Sequence, residues 1–340
     1  MTAAMTAAAR SSVLVQGRGV SAAAAMAVLG ENAACFAAEP GPERGAAPVV
    51  MLGEQALHLL HDLFGPARFA GSHQISRRIV RWDAADAITI SHQAVAISGA
   101  HLLRALPSVS GTSSPSPPCF TLRACSQSPA PAVLNFGRRE AAAAPVVLAS
   151  GADAAAVLVE AVAEGWLFLI PLGARNGWLL AVGDEPEVLL ASSRLVAPEV
   201  AELRAVEARF ETAPRVLKTL IGGDWLAFGG GALAFDPLCG DGTAMAARGG
   251  ILAGAVASAI AKGAAPEPLL RHYRAMLIAA LRRHFAACLP FYHRGGASAW
   301  WEEQAEQAAA GHAWCTQMLS QEPEPRFVLI GNRLAERAAA

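Results

Sequence analysis

The sequence predicts an α/β fold in which a Rossmann-like strand–helix–strand unit is interleaved with a β-rich region and followed by C-terminal helices. Three stretches carry the prediction. Val13-Leu-Val-Gln-Gly17-Arg-Gly19-Val-Ser-Ala22 reads as a short strand, a Gly-x-Gly-x-x-Ala turn and the start of an Ala-rich helix. Trp225 to Ala244 reads as an apolar strand, a glycine triplet, an apolar segment ending in Asp236-Pro237-Leu238, and a small-residue helix from about Thr243 to Ile260. Leu158 to Val182 alternates through Trp166, Phe168 and Ile170, turns at Arg175-Asn-Gly177 and returns from Trp178, the pattern of a hairpin with one packed face.

The first stretch has the parts of a dinucleotide fingerprint. Gly17 makes the tight turn, Gly19 lets the backbone approach a pyrophosphate, and Ala22 lets helix and sheet pack closely. A second strand, about Ala33 to Ala38, ends in Glu39, where an acid would accept from ribose hydroxyls. In the second stretch, Gly240 and Gly242 open a helix. Helix starts leave N–H groups without partners and carry partial positive charge. Glycines there admit the electron-rich edge of a ligand, so Gly240, Gly242 and Thr243 suit a planar, partly anionic ring or a phosphate.

Between these stretches, Met51 to Phe64 reads as an amphipathic helix, Ile75 to Ile97 as two or three strands, and Gly99 to Leu106 as a helix. Pro107 to Pro131 is rich in Ser, Pro and Gly and reads as a loop or disordered insertion. Pro145 to Gly151 reads as a buried strand, and Val200 to Arg209 is helical by period. Pro266 to Ala309 reads as helix interrupted at Pro290, with an aromatic cluster of Phe291, Tyr292, Trp300 and Trp301. The expected organisation is 11–65 and 223–263 for the two parts of the nucleotide domain, 66–106 and 145–222 for the β-rich domain, 107–144 for the insertion, and 264–335 for the helical region.

The chain has 340 residues, 54% hydrophobic and 16% charged, with a formal net charge of −1. That balance offers no electrostatic case for nucleic acid. Gly250 to Ala261 is too short to span a bilayer, so no membrane span is expected. Met1 to Leu29 is Ala-rich, but Gln16-Gly-Arg-Gly19 interrupts it, so the expectation is an uncleaved, cytoplasmic protein. The six cysteines form no Cys-x-x-Cys pair, and no metal site or disulfide framework is expected. His58 and His61 share a helix face without a third ligand. Cys239, inside the second stretch, reads as a small packing residue.

The second stretch resembles the second flavin-contacting motif of the FAD-dependent monooxygenase and halogenase superfamily. That pattern is Gly-Asp-Ala-Ala, an apolar linker, Asp-Pro-Leu, then Gly-x-Gly at a helix start. Ala232 to Gly242 matches it, and Trp225-Leu226-Ala227 matches the preceding strand. The pattern's first acid falls on Gly230, which removes a hydrogen bond of about 1 kcal/mol net. Gly165-Trp166-x-Phe168-x-Ile170-Pro171-Leu172 is similar to the tryptophan strand that separates flavin from substrate in that superfamily. Leu52-Gly53-Glu54 resembles its Gly-Glu pair. Pro145 to Gly151 resembles the strand that closes its nucleotide sheet. Its FAD-contacting Arg has no counterpart at Ser98-Gly99-Ala100, where Arg104 comes one to two turns late.

The resemblance covers roughly Val13 to Glu54 and Leu158 to Trp301. It implies a glutathione-reductase-like FAD-binding domain interleaved with a β-rich substrate domain. FAD would be held by Gly17, Gly19, Ala22, Glu39, Gly230, Asp236, Pro237, Gly240, Gly242 and Thr243. The substrate chamber would include Trp166, Phe168, Ile170 and Pro171. The implied activity is an FAD-dependent oxidoreductase, a monooxygenase acting on an aromatic small molecule or a group borne by a protein substrate. Electrons would come from NAD(P)H or a separate flavin reductase. Halogenation is disfavoured, because the family's chamber Lys is missing: no Lys precedes Lys218. The catalytic residues stay unassigned, with Asp236, Tyr292 and His293 placed by position only. The alternative is a flavoprotein-like binding or scaffold protein without catalysis.

Overall fold

The computed structural model describes residues 12–30, 33–35, 47–83, 86–107, 117–124 and 132–337. Glu39 lies outside them. Four parallel strands form one sheet in the order Trp225–Phe228, Phe120–Ala124, Val13–Gln16, Ala33–Cys35. Val13, Val15, Leu122, Leu226 and Phe228 are buried on one face, while Leu14, Thr121 and Arg123 on the other are partly covered. Composition placed 120–124 in a loop, yet it is an inner strand of this sheet. Its five residues are too few to stand out beside Pro- and Ser-rich flanks.

Helices Gly19–Leu29 and Gly242–Ala261 follow the first and last of these stretches and pack against each other. Small residues make this possible. A Cβ on Gly250 would lie 2.2 Å from Ser21 O, and one on Gly254 would lie 2.8 Å from Ala25 O. The Gly242–Ala261 helix is longer than the apolar run suggests, and by length and composition it could cross a membrane. More than half of that window (56%) is buried inside the protein, where it serves as a core helix.

The second sheet has nine strands. Its order is Val200–Leu203, Glu140–Leu148, Asn176–Val182, Gly165–Pro171, Ala156–Val162, His73–Arg81, Ile88–Ser98, Val49–Gly53, with Ala208–Glu211 also pairing Glu140–Leu148. Neighbours are antiparallel except His73–Arg81 beside Ala156–Val162. The 145–151 segment therefore does not close the nucleotide sheet, since Glu140–Leu148 pairs with Asn176–Val182. Residues 200–209 are not helical either. Val200, Leu203 and Val206 fit a helical period, but the segment is too short for period to decide, and the open edge of Glu140–Leu148 recruits it as two strands. The hairpin turning at Gly165 requires glycine: φ is +152°, and a Cβ would meet Val182 O at 2.1 Å.

Met51 to Phe64 divides into a strand, Val49–Gly53, and a helix, Glu54–Phe64. Helix Pro266–Arg294 runs through Pro290 without a break, followed by helix Ala299–Ser320 and a hairpin of Phe327–Ile330 with Arg333–Glu336. The second of these helices is pinned to the large sheet. Trp301 Nε1–H donates to Val162 O at 2.9 Å, and Ser298 Oγ–H to Ala163 O at 2.8 Å.

Candidate functional site

The fold brings the two glycine motifs together. Gly17 has φ +150° and would carry a Cβ 2.4 Å from Ala124 Cβ, so the turn after Val13–Gln16 closes tightly on the neighbouring strand. Gly19 has φ +81° and opens its helix; the N-cap, Arg18, makes no side-chain cap. Ala22 is fully buried. The triplet from the second motif abuts this helix, with a Cβ on Gly229 falling 3.3 Å from Ser21. Helix Gly242–Ala261 likewise starts without a side-chain cap. Gly19, Gly230 and Gly242 each have open space where a Cβ would stand. Two helix starts, on packed helices and offset along their axes because Gly250 rather than Gly242 meets Ser21, thus present N–H groups that no side chain caps, flanked by glycines. This fits an elongated ligand carrying a phosphate and an electron-rich ring. Gly230 is exposed, and its carbonyl accepts from Arg215 Nη2 at 3.3 Å.

Asp236 is buried and fully engaged. Its Oδ1 accepts the Leu238 N–H at 2.9 Å, capping the Pro237–Cys239 turn. Its Oδ2 pairs with Arg139 at 2.8 Å and accepts the Tyr292 hydroxyl at 2.5 Å. Arg139 in turn donates to Gln304 Oε1 at 2.8 Å and stacks 4.6 Å over the Tyr292 ring. Burial opposes the Arg139 charge, but Tyr292, Asp236 and Cys288 outweigh it and raise its pKa. Burial, then Asp236, pushes the Tyr292 pKa well up. Asp236 and Tyr292 therefore act as a brace that fixes the loop carrying Gly240 and Gly242. His293 is exposed on its helix.

Beyond the brace, Gly240 adopts a left-handed conformation at φ +65°. A Cβ there would lie 3.3 Å from both Arg78 Nη2 and Met51 Cε. Arg78 Nε is buried with no partner among the described residues, and Nη2 lies 3.4 Å from His92 Nε2. Burial lowers the Arg78 pKa, partly offset by Cys239; burial and then Arg78 lower that of His92. An incompletely hydrogen-bonded guanidinium at a glycine turn suits an acceptor-rich ligand edge.

Cys239 sits against helix Pro266–Arg294. Its Sγ lies 3.4 Å from Cys288 Sγ, which lies 3.5 Å from His284 Nε2. These three atoms lie within 4.8 Å of one another. His284 Nε2 already accepts the Asp236 N–H at 2.9 Å, which commits its lone pair on that side. The cluster was not anticipated. The i, i+4 spacing of His284 and Cys288 was visible, but nothing local ties them to Cys239. A cavity of about 610 Å³ opens beside it, walled by Cys239, His284, Asp241, Gly242, Met245 and Phe327 among others.

Trp166, Phe168 and Ile170 do not line that cavity. They belong to an apolar cluster with Met51, Cys288, Tyr292 and Trp301, against which Leu238 and Cys239 pack. Pro171 ends the same strand, buried. Trp166 Nε1–H is buried and has no partner among the described residues.

No family model matches the chain, and no curated protein matches it in sequence. Solved structures do. The peptidyl tryptophan dihydroxylase QhpG, essential for tryptophylquinone cofactor biogenesis, aligns at 17% identity and TM-score 0.69, over 97% of this chain and 86% of its own. The flavin-dependent halogenase CmlS aligns at 14% and 0.71, over 93% and 72%. The flavin-dependent brominase Bmp2 aligns at 14% and 0.66, over 92% and 90%. The chain therefore has the mixed α/β fold of flavin-dependent halogenases and monooxygenases, with its own sequence laid over that fold.

Proposed function

We propose that the chain is an FAD-dependent oxidoreductase with a glutathione-reductase-like cofactor domain, working as a monooxygenase on an aromatic, peptide-borne group. The observation that carries the reading is the pair of uncapped, glycine-flanked helix starts, at Gly19 and Gly242, on two helices that pack against each other. Gly17 and Gly19 would hold the pyrophosphate, with Ala22 packing the helix on the sheet, Gly230 the ribityl or pyrophosphate region, and Gly240, Gly242 and Thr243 the ring end. Asp236 and Pro237 act by shaping the loop. Flavin, when bound, supplies two-electron redox chemistry and activation of O2. The protein's part is positional. Arg139 and Tyr292 hold Asp236, Asp236 holds the turn, and Arg78 keeps a dehydrated positive charge beside it.

The likeness to a peptidyl tryptophan dihydroxylase favours an aromatic group that is peptide-borne, and the buried cluster around Trp166 and Trp301 would back the chamber rather than face the substrate. NAD(P)H or a separate flavin reductase would deliver the electrons. The deciding measurement is an absorbance spectrum of the protein purified without added cofactor, repeated after incubation with FAD and desalting. Retained flavin bands support the reading. A colourless protein in both samples overturns it.

A further inference from the structure

Cys239 and Cys288 meet where a reactive dithiol would be built, and the arrangement does not depend on a flavin. Cys239 is half-buried in the wall of the cavity, while Cys288 lies buried behind it. Their sulfurs are 3.4 Å apart. A disulfide bond would bring them to about 2.05 Å. The surroundings of Cys239 come from three directions. Arg78 reaches in from the large sheet, and His284 faces it from the long helix. Asp236 opposes them from the turn, its charge already neutralised by Arg139. An uncapped helix start follows at Gly242. Low-pKa, accessible thiols occupy electropositive surroundings of this kind. The Cys288 S–H, then His284, hold the Cys239 pKa down to about 5, against the opposing effect of burial, and donating that hydrogen bond pushes Cys288 well up.

We propose that Cys239 and Cys288 form a dithiol–disulfide couple that reacts with hydrogen peroxide entering through the cavity, with Cys239 as the attacking thiol and Cys288 as the resolving one. The Cys239 thiolate attacks one peroxide oxygen. The O–O bond breaks, the departing oxygen leaves as hydroxide and takes up a proton, and Cys239 becomes a sulfenic acid. The Cys288 sulfur then attacks that sulfur, the S–O bond breaks, and the Cys288 proton leaves with the departing hydroxide as water. The sum is two thiols plus one peroxide giving one disulfide and two water molecules, with the thiols oxidised and the peroxide reduced.

The test uses the full chain with hydrogen peroxide, read by peptide mapping so that the exposed Cys119 is scored separately. The wild type gains a Cys239–Cys288 cross-link with loss of two hydrogens and takes no dimedone. Cys288→Ser, which keeps a hydrogen-bond donor but cannot resolve, leaves Cys239 as a dimedone-trapped sulfenic acid, and Cys239→Ser gives neither product. Independently of either variant, alkylation of wild-type Cys239 by iodoacetamide shows a pH midpoint near 5, at least 100-fold faster at pH 6 than for Cys288. Absence of the cross-link, or a Cys239 midpoint above 8, overturns the proposal. So does one equivalent of tightly held zinc that must be chelated before either thiol reacts.

Discussion

Arg139 and Asp236 form an ion pair at 2.8 Å in which each side chain is 1% exposed. Neither charge can relax into water if the other is removed. Truncating one partner of a buried pair costs about 3–5 kcal/mol, because the survivor is left dehydrated and unpaired. Arg139→Met is expected to fall in that range by urea unfolding. Tyr292→Phe removes one hydroxyl donor to the same carboxylate and is expected to cost less, about 1.5–3 kcal/mol for a hydrogen bond to a charged group. A loss under 1 kcal/mol for Arg139→Met would show that the brace is not what holds the Pro237–Cys239 turn.

Glu160 makes a second prediction, at the other side of the large sheet. Its carboxylate has no exposed surface, and it accepts from the Ser193 hydroxyl, the N–H groups of Arg194, Leu195 and Val196, and Arg81. Burial alone would raise its pKa. The Ser193 hydroxyl and the three N–H groups outweigh burial and hold it below the ordinary value. A depressed folded pKa contributes stability that is fully present above the unfolded value of about 4.3 and is lost as pH falls through the lower folded value. Unfolding free energy measured across that acidic window should therefore fall in the wild type. Glu160→Gln should start lower by about 3 kcal/mol at neutral pH, having exchanged charge-assisted acceptors for an amide, and should lack the contribution of Glu160 to the acid slope.

The contact between the two nucleotide-site helices can be probed with neighbouring glycines. Ala in place of Gly gains about 1 kcal/mol in a helix interior. At Gly249 nothing lies within 4 Å of the added Cβ, so Gly249→Ala should be neutral to stabilising. At Gly250 the Cβ would meet Ser21 O at 2.2 Å, a backbone atom that cannot rotate away. Overpacking costs typically about 1–3 kcal/mol, and here two helices must part, so the steric cost exceeds the propensity gain. Gly250→Ala should lower the thermal midpoint and Gly249→Ala should not. Equal effects would show that the helices are free to move apart.

The parts of this fold that were legible beforehand are those whose meaning is local. Gly17 and Gly19 follow a strand and open a helix within ten residues, and Gly240 and Gly242 do the same after Asp236-Pro237. The Trp166 hairpin is legible as a strand pair, but not its burial: Leu167 and Leu169 pack on the face opposite Trp166 and Phe168, so both faces are covered where one was expected. What escaped depended on distant partners. Phe120–Ala124 becomes an inner strand only because Val13–Gln16 and Trp225–Phe228 flank it. Asp236 reads as a site residue from its own loop, whereas its pairing with Arg139 and Tyr292, from a strand-edge segment and a C-terminal helix, is written nowhere near it. Cys239 packs as its loop suggests, but that it meets Cys288, from the same helix as Tyr292, is visible only in the fold. Charge and sulfur chemistry is specified by tertiary proximity, which no window of sequence contains.

Gly230 offers a direct test of where FAD would sit. The resemblance places an acid at this position, and the structure leaves room for one. Gly230 has no left-handed strain, lies exposed in the short Gly229–Ala232 helix, and has nothing within 4 Å of a built Cβ. An Asp there can be accommodated without disturbing Gly229, whose φ of +69° and 3.3 Å approach to Ser21 do require glycine. One added hydrogen bond of about 1 kcal/mol corresponds to roughly fivefold in affinity. Gly230→Asp should therefore tighten FAD several-fold in a fluorescence-quenching titration at unchanged thermal midpoint without FAD, while Gly229→Asp should lower that midpoint. If Gly230→Asp leaves FAD affinity unchanged, the glycine triplet does not face the cofactor, and the second motif must meet it through the Gly240 turn alone.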